Sequence, residues 1–265
     1  MSNSCFLTSS LLASVGVRHG FFMRDGGQGG MSSGAYATLN MSYASGDDKA
    51  HVTENRQRAL QALGLAGVAL LVPKQVHSNK VVVVGREGVA PQADEGADGL
   101  ISARGNWALG ILSADCAPLL CADTDNNVFG AFHVGWRGVR DGIVQRGIDT
   151  MCACGAHLDT LRAAIGPCIQ KESYQVGDDM RRAFTDTHVD THGGAQDYFI
   201  VANDQWTFDL PGFIEACLRR CGVSYVERLP QDTYREDKRF FSYRRACKQG
   251  TDMYGRQLSV MACVL

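Results

Sequence analysis

The 265-residue sequence has no apolar run approaching the roughly 18 residues that a membrane span requires; even VALLVPKQV is broken by Pro73 and Lys74. No membrane-spanning helix is therefore expected. The chain also lacks an excess of either charge, since 26 basic and 28 acidic residues leave a formal net charge of −2. Its overall field gives no reason to expect a nucleic-acid or anionic-membrane partner, and any anion must be gripped locally. The opening MSNSCFLTSSLLASVG carries no basic residue before Arg18, so the positive region of a secretory signal is missing and a cytoplasmic location is expected. No Pro-, Ser- or charge-rich linker and no internal repeat divides the chain, which predicts one domain over residues 1–265.

Ten cysteines are present, but no C-x-x-C pair. Scattered through a long chain without an export signal, they are expected to be reduced, and most to be packing residues. Cys152 with Cys154, and Cys217 with Cys221, make no four-cysteine zinc pattern. Seven histidines include no H-x-H pair, too few imidazoles for a multicopper cluster. His188 and His192 are helically spaced, yet the intervening VDT lacks the glutamate of an HExxH site, so a surface role is expected.

What is present alternates between strand and helix signals. DKAHVTENRQRALQALGL predicts an amphipathic helix ending near Gly64, after the glycine- and serine-rich loop of residues 26–40. VALLV and KVVVVG read as buried strands flanking PKQVHSN, which carries His77. WALGILSAD, CAPLLCAD and NVFGAFHVGW read as three further strands, followed by a helix in RDGIVQRGIDTMCACG. LPGFIEACLRRCG predicts a helix with Pro211 in its first turn and Gly222 as its stop, and YVERL, RFFSYRR and LSVMACVL read as strands. There is no steady βαβ rhythm and at least one short turn between neighbouring strands. The expected class is α+β, with mixed and antiparallel sheets flanked by helices.

CAPLLCA-DTDN-NVFGAFHV has the pattern of a hairpin. A turn at Asp123–Asn126 sets Ala122 opposite Asn127, and on that register Cys116 faces His133 across the pair, close enough for one metal ion to bridge them. Pro118 argues for an edge, a bulge or an outward-facing position. A buried cysteine and a hydrogen-bonded core histidine would satisfy the same pattern, and spacing alone does not connect His77 to the pair.

KQVHSNKV, ADGLIS, LSADCAPLL, GAFHVGWRG, AAIGPCI and FFSYRR occur in that order, and together they resemble the laccase-domain, or YfiH-like, family of purine nucleoside phosphorylases. The likeness runs from HGFFMRDGG at residue 19 to the C-terminus. It implies the YfiH-like fold and a zinc site made by His77, Cys116 and His133. It also implies phosphorolysis of adenosine, inosine, guanosine and methylthioadenosine, with adenosine deamination. The chain departs from the pattern at QDTY, where relatives carry Cys-Thr, which leaves Asp232 and Thr233 unassigned.

A three-ligand zinc with an open position can generate hydroxide near neutral pH, which suits deamination. Phosphorolysis needs a held anion, for which Arg24 and Arg137 are the arginines nearest the motifs, with Ser242 and Arg244 as further substrate contacts. Solvated surface roles explain these four equally well. Asp115 could serve as acid, base or support for a ligand, although strand alternation turns it away from Cys116.

Two other readings use the same residues. Cys116 could be a thiolate nucleophile with His77 or His133 as base, in a hydrolase that edits cell-wall precursors. A non-catalytic zinc protein would need a fourth ligand, such as Cys121 or His19.

Overall fold

The computed structural model describes residues 4–25, 30–84, 96–103, 105–185, 194–202 and 204–263, and its strands fall into three sheets. The six-stranded sheet contains β4 (Val81–Val84), β5 (Gly99–Ala103), β7 (Ala117–Asp123), β8 (Val128–Val134), β9 (Arg162–Ile165) and β13 (Tyr225–Arg228), in the order β13-β9-β7-β8-β5-β4. The five-stranded sheet runs β1-β2-β14-β6-β3, from β1 (Phe6–Leu7), β2 (His19–Phe22), β3 (Ala69–Leu71), β6 (Trp107–Ser113) and β14 (Gln257–Ala262). A small sheet sets β12 (Gln205–Phe208) between β10 (Gln175–Val176) and β11 (Phe199–Ala202). The pairs β4/β5, β3/β6 and β13/β9 are parallel and the other ladders antiparallel, so the two larger sheets are mixed and the class is α+β, as expected.

β7 and β8 are buried along their whole length because both faces are covered, which is why neither alternates with polar residues. On one face Leu119, Cys121 and Phe132 pack under α4 (Ile143–Ala153) and α6 (Leu210–Arg220). On the other, Leu120, Ala122, Phe129 and Ala131 meet Leu109, Ile111 and Met261 of the five-stranded sheet. Each large apolar side chain buried this way contributes about 1.5–3 kcal/mol before entropy is counted.

The helix over Lys49–Ala62, α2, opens at Asp48, whose side chain accepts from Ala50 N, and stops before Gly64 in the left-handed region at φ 68°. α6 is capped by Asp209 and is followed by Gly222 at φ 87°. Two four-residue or five-residue helices, α1 (Ser10–Ala13) and α3 (Trp136–Arg140), and α5 (Asp178–Thr185) complete this set with α7 (Tyr243–Lys248). No helix among the described residues is long and apolar enough to cross a membrane.

Three local expectations are corrected. RFFSYRR is not a strand: Ser242 accepts from Arg245 N and caps α7, so a capping serine overrides the aromatic strand signal. VALLV and KVVVVG are not buried strands but the partly exposed outer strands β3 and β4 of two different sheets. The β7–β8 turn falls at residues 124–127, with Asn127 left-handed at φ 56°, so Asp123 pairs with Val128 and Pro118, not Cys116, faces His133. This displaces the register by two residues and so keeps Cys116 and His133 on one face of the sheet. Pro118 makes no bulge, because the β9 ladder starts only at Leu119 and His133 N turns away to Asp98 O. His188, His192 and residues 26–29 lie outside the described residues.

Candidate metal centre

The centre begins with a carboxylate. Asp98, fully buried just before β5, accepts from the consecutive amides of Val76, His77 and Ser78 at 3.1, 3.0 and 2.8 Å, and from Ser78 Oγ at 2.9 Å. Successive amides turned toward one carboxylate form an anion-binding concavity in the backbone. This cradle holds the loop between β3 and β4 in shape, including His77 at a left-handed φ of 59°. Asp98 Oδ1 also lies 2.8 Å from His133 Nδ1. Burial alone would raise its pKa, but the bonds from His133 and from the amides hold the carboxyl at about 2. Being ionised, Asp98 keeps the proton on Nδ1, so that His133 Nε2 would be the donor atom once a metal displaces its proton.

Cys116 stands before β7, directly after Asp115, whose φ of 92° kinks the chain as it leaves the five-stranded sheet. By continuation of the β7–β8 register Cys116 is level with Gly135, where an added Cβ would come within 3.0 Å of Cys116 Sγ and 3.3 Å of His77 Cδ2. The missing side chain in GWRG is what allows the three groups to close up. One donor atom each from His77, Cys116 and His133 then lies within 4.8 Å of the others, with the two imidazoles edge to face at 4.9 Å. His133 is buried and His77 exposed, so the group opens to solvent on the His77 side.

Burial pushes the Cys116 thiol upward, but the charges and hydrogen bonds of His133 and His77 lower it to about 6. Burial likewise opposes protonation of His133, yet Cys116 and Asp98 raise it to about 9. Two imidazoles and a thiolate are ligands that suit zinc, and a three-residue set leaves a position for water or substrate. Among the described residues no fourth donor joins them. Cys121 is enclosed in the middle of β7, and His19 is engaged by Ser9 N at 2.7 Å and Val17 O at 2.9 Å.

Asp115 turns away from the group. Its carboxylate accepts from Thr233 Oγ1 at 2.8 Å, Ser242 Oγ at 2.9 Å and Arg244 N at 2.6 Å, tying the QDTY and FFSYRR segments to the residue that precedes Cys116. Burial raises its pKa against these bonds. Thr233 thus gains a place, and Asp232 accepts from Ser173 Oγ. The Arg244 guanidinium donates to Gln175 O at 2.6 Å, and exposed Arg137 stacks on Trp136 at 4.3 Å. Arg24 donates to Ala37 O and Asp237 O, with its guanidinium over the Phe241 ring. Sequence reasoning overlooked Asp98, although ADGLIS, the motif that carries it, stands out in the chain.

Residues 18–264 match the family described as multi-copper polyphenol oxidoreductase laccase. A curated protein of Deinococcus radiodurans named purine nucleoside phosphorylase is 36% identical over 240 residues, 91% of this chain and 88% of its own. The solved structure of Neisseria meningitidis protein NMB0706 is 30% identical, with a TM-score of 0.81 over 97% of this chain and 98% of its own. Bacillus licheniformis YfiH, 23% identical, shares the fold at a TM-score of 0.85 over 98% and 97% of the two chains.

Proposed function

We propose, on the premise that this chain belongs to the multi-copper polyphenol oxidoreductase laccase family, that it is a zinc-dependent purine nucleoside phosphorylase which also deaminates adenosine. Adenosine, inosine, guanosine and methylthioadenosine are the proposed nucleosides. The observation that carries this reading is the convergence of His77, Cys116 and His133 on an open side, in a chain whose relative at 36% identity is named for that reaction.

Zinc held by these three residues would supply a Lewis acid next to an open position. Asp98 fixes the His133 tautomer and the His77 loop together, so both imidazoles are oriented before any ligand arrives. Asp115, through Ser242 and Arg244, sets the approach of the C-terminal segments to Cys116. Arg137 and Arg244 supply positive charge for phosphate, with Arg24, which also donates to Ala37 O and Asp237 O, as the third candidate arginine. In phosphorolysis the bond from the sugar anomeric carbon to the purine nitrogen breaks, a phosphate oxygen bonds to that carbon, and the base leaves as the protonated purine. In deamination a water oxygen replaces the exocyclic amine, which departs as ammonia.

Copper oxidation of phenols, which the family description evokes, calls for more imidazoles than the two that converge among the described residues. The non-catalytic zinc reading would need a fourth donor beside the three that converge among the described residues. One observation favours a second reading: the lowered thiol of Cys116 beside the raised imidazole of His133 has the electrostatics of a cysteine nucleophile, as a hydrolase editing cell-wall precursors would need.

Purified protein incubated with adenosine, with and without phosphate, separates these readings by chromatography of the products. Adenine and ribose 1-phosphate appear only with phosphate and not with Cys116→Ala, and inosine appears with or without it. A zinc-loaded protein that turns over no nucleoside rejects the phosphorylase, and turnover by fully metal-free protein favours the nucleophile.

A further inference from the structure

Tyr174 plays no part in the chemistry above. It lies directly before β10, where its N–H donates to Gln170 O at 3.0 Å and its carbonyl accepts from Phe208 N at 3.1 Å, so its backbone is anchored at both groups. The ring is engaged too, edge to face with Phe208 at 6.2 Å and with the Arg244 guanidinium 5.4 Å from its centroid. Arg244 is itself fixed, by its amide to Asp115 and by its side chain to Gln175 O. Asp115 adjoins Cys116 in the chain, so the Tyr174 ring, Arg244 and the residue before the thiol are packed together.

The hydroxyl is the exception. Among the described residues no group hydrogen-bonds to it, and the phenol feels the negative charges of Cys116 and Asp115 as well as the positive charges of Arg244 and Arg137. Burial, followed by the Cys116 charge, drives its pKa well above the usual tyrosine range, so at neutral pH it remains a neutral O–H donor. An O–H donor on a ring held by the Arg244 guanidinium, within the field of Arg137, matches an oxyanion with several acceptor oxygens. Because Phe208 and Arg244 already occupy the ring, the hydroxyl rather than the aromatic surface is what a ligand meets.

We propose that Tyr174 Oη is a phosphate-binding donor which, with Arg137 and Arg244, forms an oxyanion site beside Cys116. The inference rests on the phosphorylase reading for the identity of the anion. Tyr174→Phe removes the hydroxyl and keeps the contacts of the ring. Inorganic phosphate titrated into the zinc-loaded protein without nucleoside, followed by calorimetry or phosphorus NMR, should bind about 10- to 100-fold more weakly to the variant, as for loss of one hydrogen bond to a charged group. The KM for phosphate should rise in parallel, with the KM for adenosine and the thermal midpoint unchanged.

Equal phosphate affinity in the two proteins, or no phosphate binding by the parent, overturns the proposal. So does an equal loss of affinity for phosphate and nucleoside. If the parent binds phosphate and the variant does not, yet neither splits a nucleoside, the phosphorylase reading fails and the Tyr174 site stands. If phosphorolysis proceeds with the same phosphate KM in both, the reading stands and the Tyr174 site fails.

Discussion

A thiol removed from water ordinarily resists ionisation, and Cys121 and Cys168, both fully enclosed, are pushed far upward. Cys116 moves the other way, to about 6, because the imidazoles of His133 and His77 outweigh its burial. The sign follows directly: lowering the pKa of an acid extends its anion downward in pH, so metal-free Cys116 is mostly thiolate from pH 7 upward. With His133 held protonated to about 9, thiolate and imidazolium coexist between those limits. In chelator-treated protein, iodoacetamide should label Cys116 at a rate that rises through pH 6 and levels off by about pH 7.5, as read by peptide mass spectrometry. Cys121 and Cys168 should stay unlabelled, and added zinc should protect Cys116. A labelling midpoint near 9 would mean that the imidazoles do not set the thiol. The placement of Cys116 and His133 on one face was legible in the sequence because the true register differs from the expected one by two residues, which leaves the faces of a strand unchanged. The role of Asp98 was not legible, since a carboxylate meets an imidazole 35 positions away only after β5 and β8 have paired.

Among the elements, β8 depends on space left by glycines. An added Cβ at Gly99, Gly130 or Gly147 would come within 2.6, 2.7 or 2.7 Å of the Phe132 ring, so β5, β8 and α4 each withhold a side chain to admit that one ring. Phe132 precedes His133, so the slot also sets the height of a side chain of the candidate metal centre above the sheet. Gly147 gives the sharpest test. In an exposed helix, Gly→Ala stabilises by roughly 1 kcal/mol, but here the new methyl meets a buried ring and overpacking of about 1–3 kcal/mol should prevail. Gly147→Ala is therefore expected to lower the denaturation midpoint at an unchanged denaturant slope, and a higher midpoint would show that the ring moves aside freely. α2 and α6 could be read in the sequence because caps, glycine stops and apolar spacing agree there, and α4 from its apolar spacing ahead of Gly155, without a side-chain cap. FFSYRR misled because its aromatic residues favour a strand while Ser242 caps a helix, and the buried bond from Ser242 to Asp115 joins parts of the chain 127 positions apart.

At the scale of the molecule, His77 and Cys116 occupy equivalent places. The chain leaves the five-stranded sheet at β3 and enters the six-stranded sheet at β4 through the His77 loop, and it makes the same passage from β6 to β7 through Cys116. His133, at the end of β8, provides the third group from within the six-stranded sheet. The order of the motifs was legible along the chain; their division between two sheets was not, because β3 and β4, or β6 and β7, are consecutive in sequence without being paired in space. A metal bound at this seam fastens both crossings to the strand beside them, and an ion that binds only the folded arrangement must stabilise it by mass action. Zinc at 100 times its dissociation constant contributes about 2.7 kcal/mol, which for a chain of this size corresponds to a thermal midpoint higher by roughly 5–10 °C. Scanning calorimetry of the zinc-loaded protein should therefore show a drop of that order on chelation, restored by zinc. Cys116→Ala should unfold near the chelated midpoint and respond weakly to either treatment. A midpoint indifferent to chelator, in protein that retains no stoichiometric zinc, would remove the metal from this seam and leave the Cys116–His133 ion pair as its chemistry.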